Sequence, residues 1–373
     1  MSDTMQKIHC LPCLVLCLSL ASISRGADDP PATPEADRLV EQFIQRRGAP
    51  GVSVALGRDG KLLLTKAYGL ANVEHQVPTT TDTVFRTASI CKMFTAVSIL
   101  QLAEQGKLDL DAPVATYFPN LHKDDWTFTT RQLLGHLAGV RHYKSSRESM
   151  STRYFSDVQS ALSTFANDPL LHKPGSQYKY SSFGYNLLGA IVEQQSGESY
   201  ADYFRQHIGQ VAGMQHTQVD NHFRIIPHRS AGYIRMQRKD NVPWAARRNF
   251  ERGELYNAAM HDTSMKVPGG GMLSTPTDLI HFAHALLDES LVSNETKQQM
   301  WTEQKTNSGE GTSYGLGFRL YDNQKIVGHS GGQCGVSTQL LIDPETGSSA
   351  VVMCNLENAD LYSLTRALLD SVE

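Results

Sequence analysis

The sequence predicts an α/β (α+β) fold: an antiparallel sheet of about five strands flanked by N- and C-terminal helices, with a helical domain inserted into it. Three observations carry that prediction. Strand patterns cluster near both ends of the chain, between Gly51 and Tyr68 and again between Tyr314 and Asn355. From about Asp125 to Lys266 helical periodicity dominates and strand signals nearly vanish. Helical stripes precede the first strand and follow the last. Strands drawn from both ends around a helical middle fit one sheet domain, residues 35–124 with 267–373, carrying an insert at 125–266.

Taken in order, residues 1–27 read as an export signal. Lys7 and His9 precede an apolar run from Leu11 to Leu20, and small residues follow (Ala21, Ser22, Ser24, Gly26, Ala27). That run is too short to span a bilayer, and no other stretch is apolar enough. The expectation is an exported protein, periplasmic or secreted, with no stable membrane span after signal removal. Residues 28–34 form a proline-rich linker, in which Thr33-Pro34 opens a helix reaching about Arg47, with Leu39, Val40, Phe43 and Ile44 on one face. Gly51–Leu56 and Lys61–Tyr68 read as strands joined at Arg58-Asp59-Gly60, a hairpin signal. Arg86–Gly106 reads as an amphipathic helix, apolar at Ile90, Met93, Phe94, Val97 and Leu100, with Thr87 or the adjacent polar residues placed to cap it and Gly106 to stop it. Leu108–Phe118 is loop and short turns. Helical patterns follow at Thr129–Ala138, Asp157–Asn167 and Phe183–Ser196. Strands at Tyr314–Tyr321, Lys325–His329, Ser337–Ile342 and Ser349–Asn355 precede a closing helix, Ala359–Val372.

Composition narrows the function. The chain of 373 residues is 40% hydrophobic and 19% charged, with net charge −4. That balance excludes a nucleic-acid partner, because phosphate neutralisation needs clustered lysine and arginine. The densest basic run, Arg235–Arg248, is short and broken by Asp240 and Pro243, and reads as a solvated loop. Cys10, Cys13 and Cys17 fall in the export signal, leaving Cys91, Cys334 and Cys354, an odd number without metal-ligand spacing. The histidines lack an H-E-x-x-H pattern, and Gly269-Gly270-Gly271 lacks the phosphate-loop lysine. No metal and no cofactor are expected.

Three stretches can carry chemistry. Ser89 and Lys92 lie three apart on one helix face, and a hydroxyl beside an amine can become a nucleophile. Roughly one or two such pairs arise by chance in this length, and Ser176–Lys179 is a second one, in a turn-rich segment without a helical stripe. Tyr178–Tyr185 is an aromatic turn entering a helix, where a phenol can serve as acid or base. Gly328-His329-Ser330-Gly331-Gly332 ends a strand whose small residues let a substrate backbone lie alongside. It also matches the G-x-S-x-G elbow, but no histidine follows His329, so a triad base for Ser330 is missing.

With these stretches in register, the chain resembles the serine β-lactamase and penicillin-binding-protein superfamily, on its class C-like branch. The family's S-x-x-K falls on Ser89 and Lys92, its Y-x-N on Tyr180 to Ser182, and its K-T-G or H-x-G on His329 to Gly331. Connecting phrases match too, at Gly106–Leu110, Leu133–Val140 and Gly269–Thr275, and the similarity covers roughly Arg38 to Leu369. Gly139–Tyr143, Asn167–Leu170 and Lys173–Gln177 look most like the mitochondrial, peptidase-type members. The resemblance implies a serine hydrolase working through an acyl-enzyme on a peptide, ester or β-lactam carbonyl. Ser89 is then the nucleophile, with Lys92 and Tyr180 sharing the proton work. A cationic Lys92 would favour a Tyr180 phenolate, and either can be the base. The backbone N–H groups of Ser89 and Gly332 would form the oxyanion hole, and Ser182, His329 and Gly331 would contact substrate. Two departures reduce the expected β-lactamase character: Ser182 replaces an amide, and His329 replaces the usual lysine. A D-alanyl-D-alanine carboxypeptidase, a true β-lactamase and a non-catalytic scaffold of the same fold are the alternatives, and an oligomer is compatible with the resemblance.

Overall fold

In a computed structural model, residues 34–118, 127–236, 251 and 253–372 are described. The export signal, residues 28–33 of the linker, the predicted boundary near residue 125 and nearly all of the basic run lie outside them. Helix α1, Pro34–Arg47, begins on its proline and buries Ala36, Val40 and Phe43. Strands β1 (Gly51–Arg58) and β2 (Lys61–Asn72) follow. Asp59 and Gly60 turn between them with φ of 50° and 74°, the doubly left-handed geometry that matches strand twist. A short edge strand β3, Val77–Pro78, pairs with β2.

Helix α2, Cys91–Glu104, is preceded by a single tight turn, Ala88–Ile90, that carries Ser89. Gly106, at φ 68°, stops the helix as expected. The expected amphipathicity is not found. Every residue from Cys91 to Leu102 is buried, because the helix runs between the sheet and the helical part of the molecule. Its polar positions are sealed by hydrogen bonds: Thr95 Oγ1 to Pro268 O at 2.6 Å, and Gln101 Nε2 to Leu291 O at 2.9 Å. Nor does Thr87 cap the helix. Its hydroxyl donates instead to Met272 O at 3.0 Å.

Helix α3, Ser182–Ser196, is capped by Ser181 Oγ, which accepts from Gly184 N at 2.9 Å, and stops at left-handed Gly197. Helix α4 covers Pro276–Leu287. The chain then returns to the sheet through β4 (Arg319–Tyr321), β5 (Ile326–Gln333), β6 (Val336–Asp343) and β7 (Ser348–Cys354), and ends in α5, Tyr362–Asp370. The strand order is β3-β2-β1-β7-β6-β5-β4, antiparallel throughout. The sheet therefore has seven strands, five long ones and two short edges: three-residue β4, the end of the strand predicted at Tyr314–Tyr321, and two-residue β3, which single-sequence patterning did not register. Between α3 and α4, Gln218–Val219 pairs with Met272–Ser274, and Tyr233 N donates to Asn355 O, so this part of the chain is tied to the sheet side.

Both faces of the sheet are covered, which is why its central strands lack polar alternation. Val52, Val54 and Leu56 of β1, with Val352 and Cys354 of β7, pack under α1 and α5. Ala55, Leu340, Ile342, Val351 and Met353 point the other way, into the larger core shared with α2, α3 and α4. At the edge, β4 pairs only with Ile326–Gly328, which leaves the glycine-rich end of β5 beside the Ser89 turn.

Candidate active site

The Ser89 turn is locked to the sheet. Thr338 Oγ1 on β6 donates to Thr87 O at 3.0 Å. Gly331 on β5 sits so close that a Cβ there would meet Thr338 Oγ1 at 2.2 Å and Thr87 O at 2.4 Å. Ala88, immediately before the serine, holds φ 46°, a left-handed conformation that side chains disfavour and that surrounding packing must enforce.

Three predicted residues meet at the serine hydroxyl. Tyr180 donates to Ser89 Oγ at 2.8 Å, and Lys92 Nζ donates to it at 3.1 Å. Lys92 spends its other donors on Ser182 Oγ at 3.1 Å and Gly269 O at 2.6 Å, so all three ammonium hydrogens are aimed. The approach to Tyr180 is held by two histidines. Ser181 N–H donates to His136 Nδ1 at 3.2 Å and Ser182 N–H to His142 Nδ1 at 3.1 Å, which fixes both rings with Nδ1 unprotonated.

Burial sets the proton affinities. Lys92 is fully buried, and its pKa falls from 10.5 to about 7; Cys91 opposes the fall and Arg319 adds to it. Tyr180 is pushed up to about 12 by burial, with its bond to Ser89 opposing. Of the two bases left open by the sequence, these proton affinities favour Lys92 over a Tyr180 phenolate. Near neutrality the phenol keeps its proton and the lysine is the group poised to gain or lose one.

Ser89, Tyr180, Ser182 and Gly332 line one cleft of about 280 Å³, together with His142, Lys266 and Gly269. Two predicted substrate contacts do not reach it. His329 is 1% exposed, with Nε2 2.9 Å from Tyr314 Oη and Nδ1 2.5 Å from Ser330 O, and burial holds it well below its ordinary pKa. It is a neutral ring bracing Tyr314. Gly331 serves the close approach of β5 to the serine turn. Ser182 does line the cleft, but its hydroxyl is committed to Lys92. Ser176 and Lys179 are exposed, Ser176 bonding to Lys173 O at 2.7 Å, far from any such arrangement. Ser330 lies within β5 and not on a strand-to-helix turn. Among the described residues no group of three histidine, cysteine or acidic side chains could hold a metal. Sequence reasoning missed Lys266, His142 and the Gly269 carbonyl. The available signal was a lysine set among apolar residues just before the triple glycine.

A Ser–Lys–Tyr cluster on a helix-covered antiparallel sheet is the arrangement of serine hydrolases built on the β-lactamase fold. The Beta-lactamase family model matches residues 36–372, and the chain belongs to that family. It is similar to the human mitochondrial serine beta-lactamase-like protein LACTB, 29% identical over 87% of this chain and 77% of that one. Among solved structures it is similar to an octameric penicillin-binding protein homologue from Pyrococcus abyssi, with TM-score 0.74 and 26% identity over 91% and 76% of the two chains. It shares its fold with D-amino acid amidase from Ochrobactrum anthropi, with TM-score 0.77 and 24% identity over 91% and 98%.

Proposed function

We propose that this chain is a serine hydrolase that acts through an acyl-enzyme on peptide, amide or ester carbonyls. The observation that carries the reading is the pair of hydrogen bonds converging on Ser89 Oγ from Tyr180 and Lys92. Neutral Lys92, available because burial brings its pKa to about 7, accepts the serine proton as Oγ attacks. Tyr180, protonated, delivers its proton to the leaving group and is restored, through water, by the proton that Lys92 has taken, so that the serine proton ends on the leaving group. Backbone N–H groups of Ser89 and Gly332, both on the cleft wall, receive the oxyanion. Buried, neutral His329 leaves β5 without the cation that would hold a β-lactam carboxylate, which favours a peptidase, amidase or esterase over an antibiotic-degrading enzyme.

Labelling with a fluorophosphonate, followed by peptide mapping, tests the nucleophile and its competence together. Modification at Ser89, abolished in Ser89→Ala, is the expected result; labelling elsewhere or none overturns the reading. A panel of nitrophenyl esters, amino-acid amides, peptides and a chromogenic cephalosporin orders the substrates, with the cephalosporin expected to be slow. Residues 1–27 support export, to be checked by the N-terminus of the mature protein. Similarity to an octameric homologue supports assembly, to be checked by light scattering. Among the described residues no helix is long and apolar enough to cross a membrane.

A further inference from the structure

The turn that supplies Gly269 O to Lys92 brings a second lysine into the same cleft. Lys266 is 4% exposed, and its Nζ donates to Ser149 O at 2.9 Å and lies 5.6 Å from the Tyr143 ring centre. An ammonium has three donors, and Ser149 uses one. Among the described residues Lys266 makes no ion pair, and none of the cleft-lining residues is acidic. The neighbouring carboxylates are committed elsewhere. Asp220 pairs with Arg86 at 2.7 Å and accepts from Thr263, while Asp262 accepts from Ser264 N at 2.7 Å and pairs with His222. A buried cation without a counter-ion is unfavourable, and such a group at a cleft wall is completed by whatever anion enters.

We propose that Lys266 is the anion anchor of this cleft, holding a carboxylate on the substrate while Ser89 attacks the substrate's carbonyl. The substrates are then carboxylate-bearing peptides, amides or esters. The attack half of the statement rests on the hydrolase reading; the anion-binding half does not. The position that would carry a cation on β5 is sealed against Tyr314, so the positive charge facing substrate comes from the turn before the triple glycine. His142 lies on the same wall, its Nδ1 occupied by Ser182 N–H, so its Nε2 is the donating nitrogen. Burial, assisted by Arg86, holds Lys266 to about 7, and an arriving carboxylate would restore its proton. Arg86, Lys92, Asp220, His142, His261, Tyr143 and Cys334 are the charged and titratable groups around it.

The test uses Ser89→Ala protein, so that turnover is not required, and compares N-acetylphenylalanine with its amide by NMR titration. The carboxylate is expected to bind at least tenfold more tightly than the amide. That ratio should fall to about one in Ser89→Ala/Lys266→Gln and be retained in Ser89→Ala/Lys266→Arg. Absence of a carboxylate preference, or a preference untouched by Lys266→Gln, overturns the proposal. Should the glutamine variant fail to fold, trace acetylation of Ser89→Ala protein gives the answer: N-acetylphenylalanine, and not the amide, should shield Lys266 from acetic anhydride. Unshielded Lys266 overturns the proposal. Because Ser89 is absent throughout, an inert serine would sink the hydrolase reading without deciding this one.

Discussion

Replacing Lys92 by methionine should change how stability depends on pH. The lysine is fully buried, with a pKa of about 7 in place of 10.5. A lowered lysine pKa means that folding disfavours the charged form. Between about pH 7 and 10.5 the unfolded chain holds a proton that the folded chain has released, so stability rises with pH in that window. Below about 7 the penalty is fully present. The slope is about 1.4 kcal/mol per pH unit, so one such lysine changes stability by about 2–3 kcal/mol between pH 7.5 and 9.5. Lys266 adds a term of the same sign. Buried thiols such as Cys91, pushed up to about 11, act in the opposite sense. The wild-type curve alone therefore mixes several groups, and the difference between two proteins isolates one. Methionine keeps much of the side-chain volume and removes the charge, at the fixed cost of leaving Gly269 O without its donor. Urea unfolding followed by circular dichroism at pH 7.5, 8.5 and 9.5 measures the gap. The stability of Lys92→Met relative to wild type should fall by about 2–3 kcal/mol across that range. A gap constant to within about 0.5 kcal/mol would show that the lysine keeps an ordinary proton affinity in the folded protein, and the proposed base would fall with it.

Three further outcomes are expected. Tyr180→Phe removes the 2.8 Å donor to Ser89 and should slow acylation by about 10²–10⁴, while the rising limb near pH 7 persists in stopped-flow profiles with a nitrophenyl ester. Loss of that limb would assign the base to the tyrosine. Gly331→Ala drives a Cβ into Thr338 Oγ1 and Thr87 O; a loss of about 1–3 kcal/mol in stability should accompany slower fluorophosphonate labelling, read by thermal melting and gel fluorescence. His329→Lys places an ammonium in a site 1% exposed beside Tyr314. It should lower the melting temperature without raising cephalosporin turnover, and a gain in turnover at unchanged stability would mean that the position faces substrate.

Much of the sheet was legible because its signals are local. Asp59-Gly60 marks a two-residue hairpin, and the runs that became β5, β6 and β7 are bounded by turn residues. What escaped was set by tertiary contact. The stripe of Ile90, Met93, Phe94, Val97 and Leu100 suggested one buried face for α2, yet Thr95, Ser98 and Gln101 are buried too. Thr95 and Gln101 bond to chain segments distant in sequence, which no periodicity reveals, while Ser98 donates back to Phe94 O within the helix. At the site, spacing put Ser89 and Lys92 on one helix face and the family resemblance added Tyr180, and the three do converge. Motif register also nominated His329 and Gly331, but register cannot say which side of a strand faces the cleft. Lys266 lies outside those motifs, and its apolar neighbours just before the triple glycine were the one local hint of its burial.

The cysteines have a practical consequence. Cys91, Cys334 and Cys354 are buried free thiols, pushed up to about 11, 12 and 12. At pH 7.5 fewer than about one in a thousand of each is thiolate, the form that reacts with electrophiles and oxidants. Even Cys334, on the cleft wall, offers almost no competition to an activated hydroxyl. An acylating probe added to a crude extract should therefore report this protein through its serine, with the same signal whether or not a reducing agent is present.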